Sequence, residues 1–204
     1  MRRATLACVV ALVALTSLTS CSKKKDGAEP SASKNKDGTP AAPTITFTVD
    51  GVEPNGTKPP GADVLEPVKA VLDAYLRRAV IEPLHSGQPP GDITDLFTAE
   101  AQTRFGDEAT LATLVEDGLP PASTSITAES AVAKLSSVAG PDGAITLVAA
   151  RLDVKLHAVG PRIDIDIVRD GELVLTSQQG DWRIDSFGLR TTRNTRDKPE
   201  EGGS

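Results

Sequence analysis

The spacing of apolar residues changes once along this chain, from a helical period to a strand period. Apolar residues recur at three- and four-residue spacing from Val68 to Val80, which predicts a first helix that ends at Pro83. Two shorter helices are predicted after a Gly/Pro-rich loop, with Thr98 and Asp107 as N-caps. The first half of the folded region is therefore expected to be helical.

From about residue 124 the apolar period is two, and turn residues separate the strand-like segments. The predicted segments are Ile126–Val138, Ala144–Val159, Ile163–Val168, Leu173–Gln178 and Trp182–Thr191. The tetrapeptide from Arg169 to Glu172 is interpreted as a hairpin turn between the third and fourth of them. Helices followed by a meander of strands predict an α+β fold.

The strand pattern also assigns side chains to two faces of the sheet. Leu152 and Val154 alternate with Asp153 and Lys155, so one face is expected to be dry and the other wet. Such alternation is typical of an antiparallel sheet that helices cover on one side only. Ahead of the helices, alternation from Thr44 to Val49 fits either an edge strand or an extended stretch laid over the domain.

The N-terminus has the three parts of an export signal. Arg2 and Arg3 precede an apolar run from Leu6 to Leu15, which is too short to remain as a membrane-spanning helix. Leu18-Thr19-Ser20-Cys21 then resembles the lipobox of bacterial lipoproteins. The resemblance implies cleavage after residue 20, lipid on Cys21, and anchoring to the extracytoplasmic side of the cell membrane.

Charge divides the remaining chain into a tether, a folded region and a tail. Residues 22–43 carry five lysines against three acids, and residues 44–190 carry 12 Lys and Arg against 22 Asp and Glu, a net charge of −10. Such a surface repels phosphate backbones, which excludes nucleic acid as a partner. The predicted organisation is a signal peptide (1–20), lipidated Cys21 with a tether (21–43), an extended segment (44–62), the main domain (63–192) and a disordered tail (193–204).

A family resemblance rests on the order of elements and on the last strand. A long first helix, a short helix with Asp-Leu-Phe-Thr-Ala-Glu-Ala and a closing Gly180-Asp181-Trp182-Arg183-Ile184-Asp185 resemble the NTF2-like (SnoaL, cystatin-like cone) superfamily. The chain is similar in particular to Mce-associated NTF2-like proteins of actinobacterial envelopes. The resemblance implies a cone of helices on a curved antiparallel sheet, and it leaves the activity open because this fold hosts many functions.

The sequence offers few candidate catalytic or pocket residues inside the predicted cone. Enzymes of the superfamily use a tyrosine on the first helix, so Tyr75 is the candidate there, with Leu72 and Trp182 as further candidate pocket residues. Tyr75 also shares the apolar stripe, which favours a core tyrosine with one satisfied hydroxyl. The sequence offers no convincing general base, so a non-enzymatic role without cofactor is predicted.

A second candidate site is the wet face of the sheet. The candidate interaction residues there are Asp153, Lys155, His157, Asp164 and Asp166. Their spacing does not match a calcium loop, and two histidines without a free thiol make zinc implausible, so no metal is predicted.

Three functions follow from these observations, in descending order. The first is a docking module of an envelope complex, with a protein partner or a second copy of the chain on the wet face. The second is a carrier of a small apolar ligand or lipid in the cone. The third is an isomerase-like enzyme of the SnoaL or ketosteroid-isomerase type, centred on Tyr75.

Overall fold

The computed structural model describes residues 41–55, 59–116, 122–123, 125–178 and 180–198. Within these ranges the chain has the predicted α+β architecture, in which helices pack on one face of a curved sheet. The signal peptide, Cys21 and most of the tether lie outside the described residues. No helix within the described ranges combines the length and apolar character needed to cross a membrane.

Five strands form one sheet in the described part of the chain, in the order β1-β2-β3-β4-β5. Their bounds are β1 Thr48–Asn55, β2 Ser125–Ala139, β3 Ile145–Val159, β4 Ile163–Gln178 and β5 Asp181–Asp197. β1 pairs with β2 in parallel, and the other neighbours are antiparallel. Of the two alternatives for the N-terminal segment the edge strand is correct, although it begins four residues later than the alternating pattern.

The first helical region is longer than predicted. It comprises α1 (Ala62–Leu76), a π-helical turn (Arg77–Ile81) and α2 (Glu82–Ser86). It ends at Gly87, which adopts a left-handed conformation with φ 64°. The predicted end at Pro83 is wrong because this proline lies in the first turn of α2, and the chain stays helical through it to Ser86.

Two short helices, α3 (Ala99–Gln102) and α4 (Glu108–Leu114), follow, and both predicted N-caps are confirmed. The Thr98 hydroxyl accepts a hydrogen bond from the Ala101 N–H at 3.2 Å. The Asp107 carboxylate accepts one from the Thr110 N–H at 2.7 Å. Each cap satisfies a backbone donor that the first turn leaves without an intrahelical partner.

The predicted hairpin at Arg169–Glu172 is wrong, because β4 runs through it without a break. Gly171 has φ 140°, and a Cβ atom there would lie 2.1 Å from the Gly188 carbonyl oxygen on β5. The glycine therefore permits a close approach of two paired strands instead of a chain reversal. As a consequence, Arg169 belongs to the strand and takes the inward position that follows Ile165 and Ile167.

β5 extends five residues beyond the predicted domain end at 192, so the tail prediction is wrong for residues 193–197. Ion pairs extend the ladder there: Arg196 contacts Asp166 at 2.5 Å, and Lys198 contacts Asp164 at 3.1 Å. Opposite charges on neighbouring strands stabilise such an extension. Residues 199–204 lie outside the described residues.

The two faces of the sheet are as predicted. Leu152 and Val154 are 2% and 1% exposed and face the helices, whereas Asp153 and Lys155 lie on the exposed face. Tyr75 in α1 packs edge-on against Phe97, with ring centroids 6.5 Å apart. The core therefore lies between the helices and the inner face of the sheet, and the outer face remains accessible.

Gly171→Ala should destabilise the protein by at least about 2 kcal/mol, since it adds a clash with Gly188 to an unfavourable φ. Gly188→Ala is the matched control, because a Cβ at Gly188 meets no described atom within 4 Å. Chemical denaturation of both variants measures the difference. Equal stabilities would contradict the close-approach explanation.

Candidate functional site

A cluster of polar side chains is buried between α1 and the sheet. Tyr75, Glu116 and Arg169 are each 1% exposed, although charged residues are seldom buried to this extent. Tyr75 comes from the last turns of α1, Glu116 follows α4, and Arg169 comes from β4. Arg193 on β5 completes the cluster and is one-third exposed, at 33% of its side chain.

The hydrogen bonds of the cluster have three acceptor groups: the Leu114 carbonyl, the Tyr75 oxygen and the Glu116 carboxylate. The Leu114 carbonyl oxygen accepts from the Tyr75 hydroxyl at 2.6 Å and from Nη1 of Arg169 at 2.8 Å. The same Nη1 also donates to the Tyr75 oxygen at 2.8 Å. Nη2 of Arg169 donates to Oε1 of Glu116 at 2.6 Å, and Arg193 donates to Oε2 of the same carboxylate.

Backbone geometry brings Glu116 to this position. Its N–H donates to the Ala79 carbonyl oxygen at 2.9 Å, inside the π-helical turn. In an α-helix that carbonyl would accept from the N–H of residue 83, but Pro83 has none. The proline therefore leaves an acceptor on the first helix, and the segment after α4 binds to it.

Electrostatics fix the protonation states of two members of the cluster. Burial raises the pKa of the Tyr75 hydroxyl above its usual value, and the Arg169 charge offsets this only in part. Burial alone would lower the pKa of Arg169, but the Tyr75 oxygen and the Glu116 carboxylate outweigh it and raise that pKa. Tyr75 therefore stays a neutral phenol and Arg169 stays charged.

The cluster is suited to holding a carboxylate in place. Two guanidinium groups contact the single carboxylate of Glu116, so the buried group is paired on both oxygens. Removing one partner of a buried ion pair typically costs about 3–5 kcal/mol, because it leaves an uncompensated charge. The cluster thus joins the helices to β4 and β5 through charge.

The candidate pocket residues of the sequence analysis lie in different surroundings. Leu72 is fully buried in the core, and Tyr75 is engaged in the polar cluster. Trp182 is 8% exposed and borders a depression of about 340 Å³ together with Pro67 and Val71.

The candidate interaction residues lie on the outer face, where several of them form ion pairs. Nδ1 of His157 is 2.6 Å from Oδ1 of Asp166, whose Oδ2 contacts Arg196. Asp164 pairs with Lys198, whereas Asp153 and Lys155 are exposed. The acids of β4 are therefore partly neutralised by Arg196 of β5 and by Lys198, which directly follows β5, and sequence spacing alone does not reveal this.

Two like-charge pairs on the outer face were missed by the sequence analysis. Lys134 on β2 lies directly opposite Arg151 on β3, and Asp153 on β3 lies opposite Asp170 on β4. All four border a depression of about 660 Å³. Like charges directly opposite each other destabilise a sheet. Among the described residues, Asp170 forms an ion pair with Arg190. Lys134, Arg151 and Asp153 form no ion pair there.

The buried cluster was missed as well, although one signal for Arg169 was present. Ile163, Ile165, Ile167, Arg169, Gly171 and Leu173 form an unbroken alternation. The hairpin interpretation interrupted this alternation and hid the inward position of Arg169. Glu116 carries no such signal, because it lies in an irregular segment whose position depends on the π-helical turn.

Comparison with protein-family models, curated proteins and solved structures finds no match to this chain. Within the described ranges, no group of three or more His, Cys, Asp or Glu side chains is placed to hold a metal ion. The geometry of the two sites is therefore the basis of the functional argument.

Tyr75 is the only tyrosine in the chain, so phenolate absorbance reports this side chain alone. Its raised pKa predicts that the phenolate of the folded protein appears well above pH 10, whereas the unfolded chain titrates near 10. The folded state then holds more protons than the unfolded state above pH 10. The part of the folding stability that comes from the protonated Tyr75 hydroxyl is fully present below pH 10 and is lost as pH rises further.

A spectrophotometric titration of folded and denatured protein tests this expectation. Tyr75→Phe is the control: it should cost about 1–3 kcal/mol at neutral pH through lost hydrogen bonds, and it should weaken the alkaline loss of stability. A folded protein that titrates near pH 10 would show that the hydroxyl is not held as described.

Proposed function

We propose that the protein is a lipid-anchored lipoprotein of the cell envelope whose domain, an NTF2-like cone, docks a protein partner on the outer face of its sheet. The lipid is attached to Cys21, and residues 22–43 form the tether. The domain acts by binding, as an accessory module of an envelope complex. The observation that carries the docking proposal is the set of like-charge pairs around the depression at Lys134, Arg151, Asp153 and Asp170.

Those pairs favour docking because each places like charges opposite one another in the isolated domain. Glu172 faces Arg151 and Arg190 pairs with Asp170, but Lys134 and Asp153 form no ion pair among the described residues. Lys134 and Arg151 bring two exposed cations together, and Asp153 faces Asp170 immediately beside them. A partner that presents acids to the cations and a base to Asp153 would relieve both repulsions. The relief of this repulsion then contributes to the binding free energy of the complex.

The buried cluster supports a binding role over catalysis. Tyr75 and Arg169 direct their polar atoms at one another and at the Leu114 carbonyl. A phenol with a raised pKa is a poor general base at neutral pH. The like-charge pairs of Lys134 with Arg151 and of Asp153 with Asp170 lie instead on the accessible sheet face, which favours that face as the surface for a partner.

Lipidation of Cys21 predicts an intact mass that corresponds to cleavage before Cys21 plus acyl chains. The protein extracted from its own membranes should show this mass, and Cys21→Ser should be released into the aqueous fraction. Mass spectrometry and membrane fractionation measure the two effects. A wild-type chain that lacks lipid on Cys21 would contradict the anchoring proposal.

The docking proposal predicts that Lys134→Glu combined with Arg151→Glu weakens capture of the partner by at least about tenfold, since it reverses both cations. The reversal keeps a like-charge pair between β2 and β3 but also places an acid opposite Glu172 on β4, so thermal unfolding of the variant is measured alongside to show that it is folded. Native mass spectrometry of complexes extracted from the membrane measures subunit occupancy. The result expected is a stoichiometric subunit on the wild-type protein that is lost from the variant.

The matched control is Glu66→Lys combined with Glu100→Lys, which reverses two exposed acids on the helical side. This control should keep the same subunit at wild-type occupancy. A subunit retained by the sheet-face variant would contradict the docking site. A monomer that carries an apolar ligand and no protein subunit would favour the carrier function instead.

A further inference from the structure

The segment from Leu114 to Glu116 places an aliphatic and a carboxylate group in the buried space beside α1. Leu114, Val115 and Glu116 are 0%, 2% and 1% exposed. The two aliphatic side chains belong to the apolar core, whereas the carboxylate meets the polar cluster. This short segment therefore has the chemical character of an aliphatic acid.

The groups around the Glu116 carboxylate can act as hydrogen-bond donors to a ligand. Arg169 and Arg193 each contact one of its oxygens, and the Tyr75 hydroxyl lies 2.8 Å from Nη1 of Arg169. Among the described residues, Nε of the buried Arg169 has no hydrogen-bond acceptor. Two guanidiniums and a hydroxyl are well suited to recognise a carboxylate.

Helix α4 ahead of Leu114 makes few buried contacts, whereas Leu114, Val115 and Glu116 are held by the core and by the polar cluster. Most of α4 is exposed, including Leu111, and its buried contacts are concentrated at Leu114 and the two residues that follow. An apolar groove of about 260 Å³ lies beside α4, lined in part by Ile93, Phe105 and Val115. Elements with few buried contacts open at low free energy. Arg193 is one-third exposed, so the cluster reaches solvent at its side chain.

We infer that Arg169, Arg193 and Tyr75 form a binding site for an aliphatic carboxylate, which Glu116 occupies in this structure, and that α4 is a displaceable lid over it. An incoming carboxylate takes the place of the Glu116 side chain, and its hydrocarbon chain takes the place of Leu114 and Val115. This ligand site lies between the helices and the sheet. It is independent of the docking face proposed above.

The first test uses Glu116→Ala in the full chain, with butyrate as the probe. The variant should have a lower Tm than wild type, and butyrate should raise that Tm in a saturable manner. Butyramide, which is neutral, and chloride at the same ionic strength should not. If Glu116→Ala does not fold, Glu116→Gln replaces it, since it keeps the side-chain volume and removes the charge.

The second test uses the wild-type chain and asks whether the lid moves. Butyrate should increase hydrogen exchange at the Val115 and Glu116 amides, whose acceptors are Leu111 and Ala79. It should leave exchange in the β3–β4 ladder unchanged. Wild type should bind butyrate at least about tenfold more weakly than the variant, because the ligand must first displace Glu116.

Two results would overturn the inference. One is a variant whose Tm responds equally to butyrate and butyramide, since the site would then not recognise a carboxylate. The other is unchanged hydrogen exchange at the Val115 and Glu116 amides of the wild-type protein, at butyrate concentrations more than a hundred times those that saturate the variant. Glu116 would then be a permanent structural group.

Discussion

The fold depends on one buried carboxylate shared by two guanidinium groups. Glu116 joins β4 through Arg169 and β5 through Arg193, while its backbone N–H joins it to the first helix. Desolvation of these charges is expensive, so the arrangement is favourable only when every partner is in place. The helices and the sheet are therefore coupled by mutually dependent polar contacts within a largely apolar core.

Charge is used differently in two regions of the outer face of the sheet. Two ion pairs, Asp166 with Arg196 and Asp164 with Lys198, stabilise the outer end of the β4–β5 ladder. Nearer the middle, Lys134 faces Arg151, which has Glu172 on its other side, and neither cation forms an ion pair among the described residues. The first arrangement extends a long edge strand, and the second keeps charge available for another molecule. The outer face therefore has one region whose charges pair within the domain and another whose charges are available to a partner.

The regular periods of the sequence predicted much of the fold. Apolar spacing identified the first helix and the dry face, and the side chains of Thr98 and Asp107 identified two helix starts. The errors occurred where local chemistry has two outcomes: Gly171 suits a turn as well as a close strand approach, and Pro83 suits a helix end as well as a first turn. The candidate outer-face residues follow from alternation, but their pairing with β5 depends on strand register. Glu116 could not be predicted, because its partners lie 37 to 77 positions away, from Ala79 to Arg193.

Pro83 has a consequence for how the chain chooses among hydrogen-bond partners. A residue with an N–H at this position would offer the Ala79 carbonyl a donor four residues away, at a far smaller loop-closure entropy than Glu116 requires. Proline removes that local competitor, so the acceptor is reserved for a distant segment. A missing hydrogen therefore acts as a specificity element: it converts a helix carbonyl from a local bond within one element to a bond between elements.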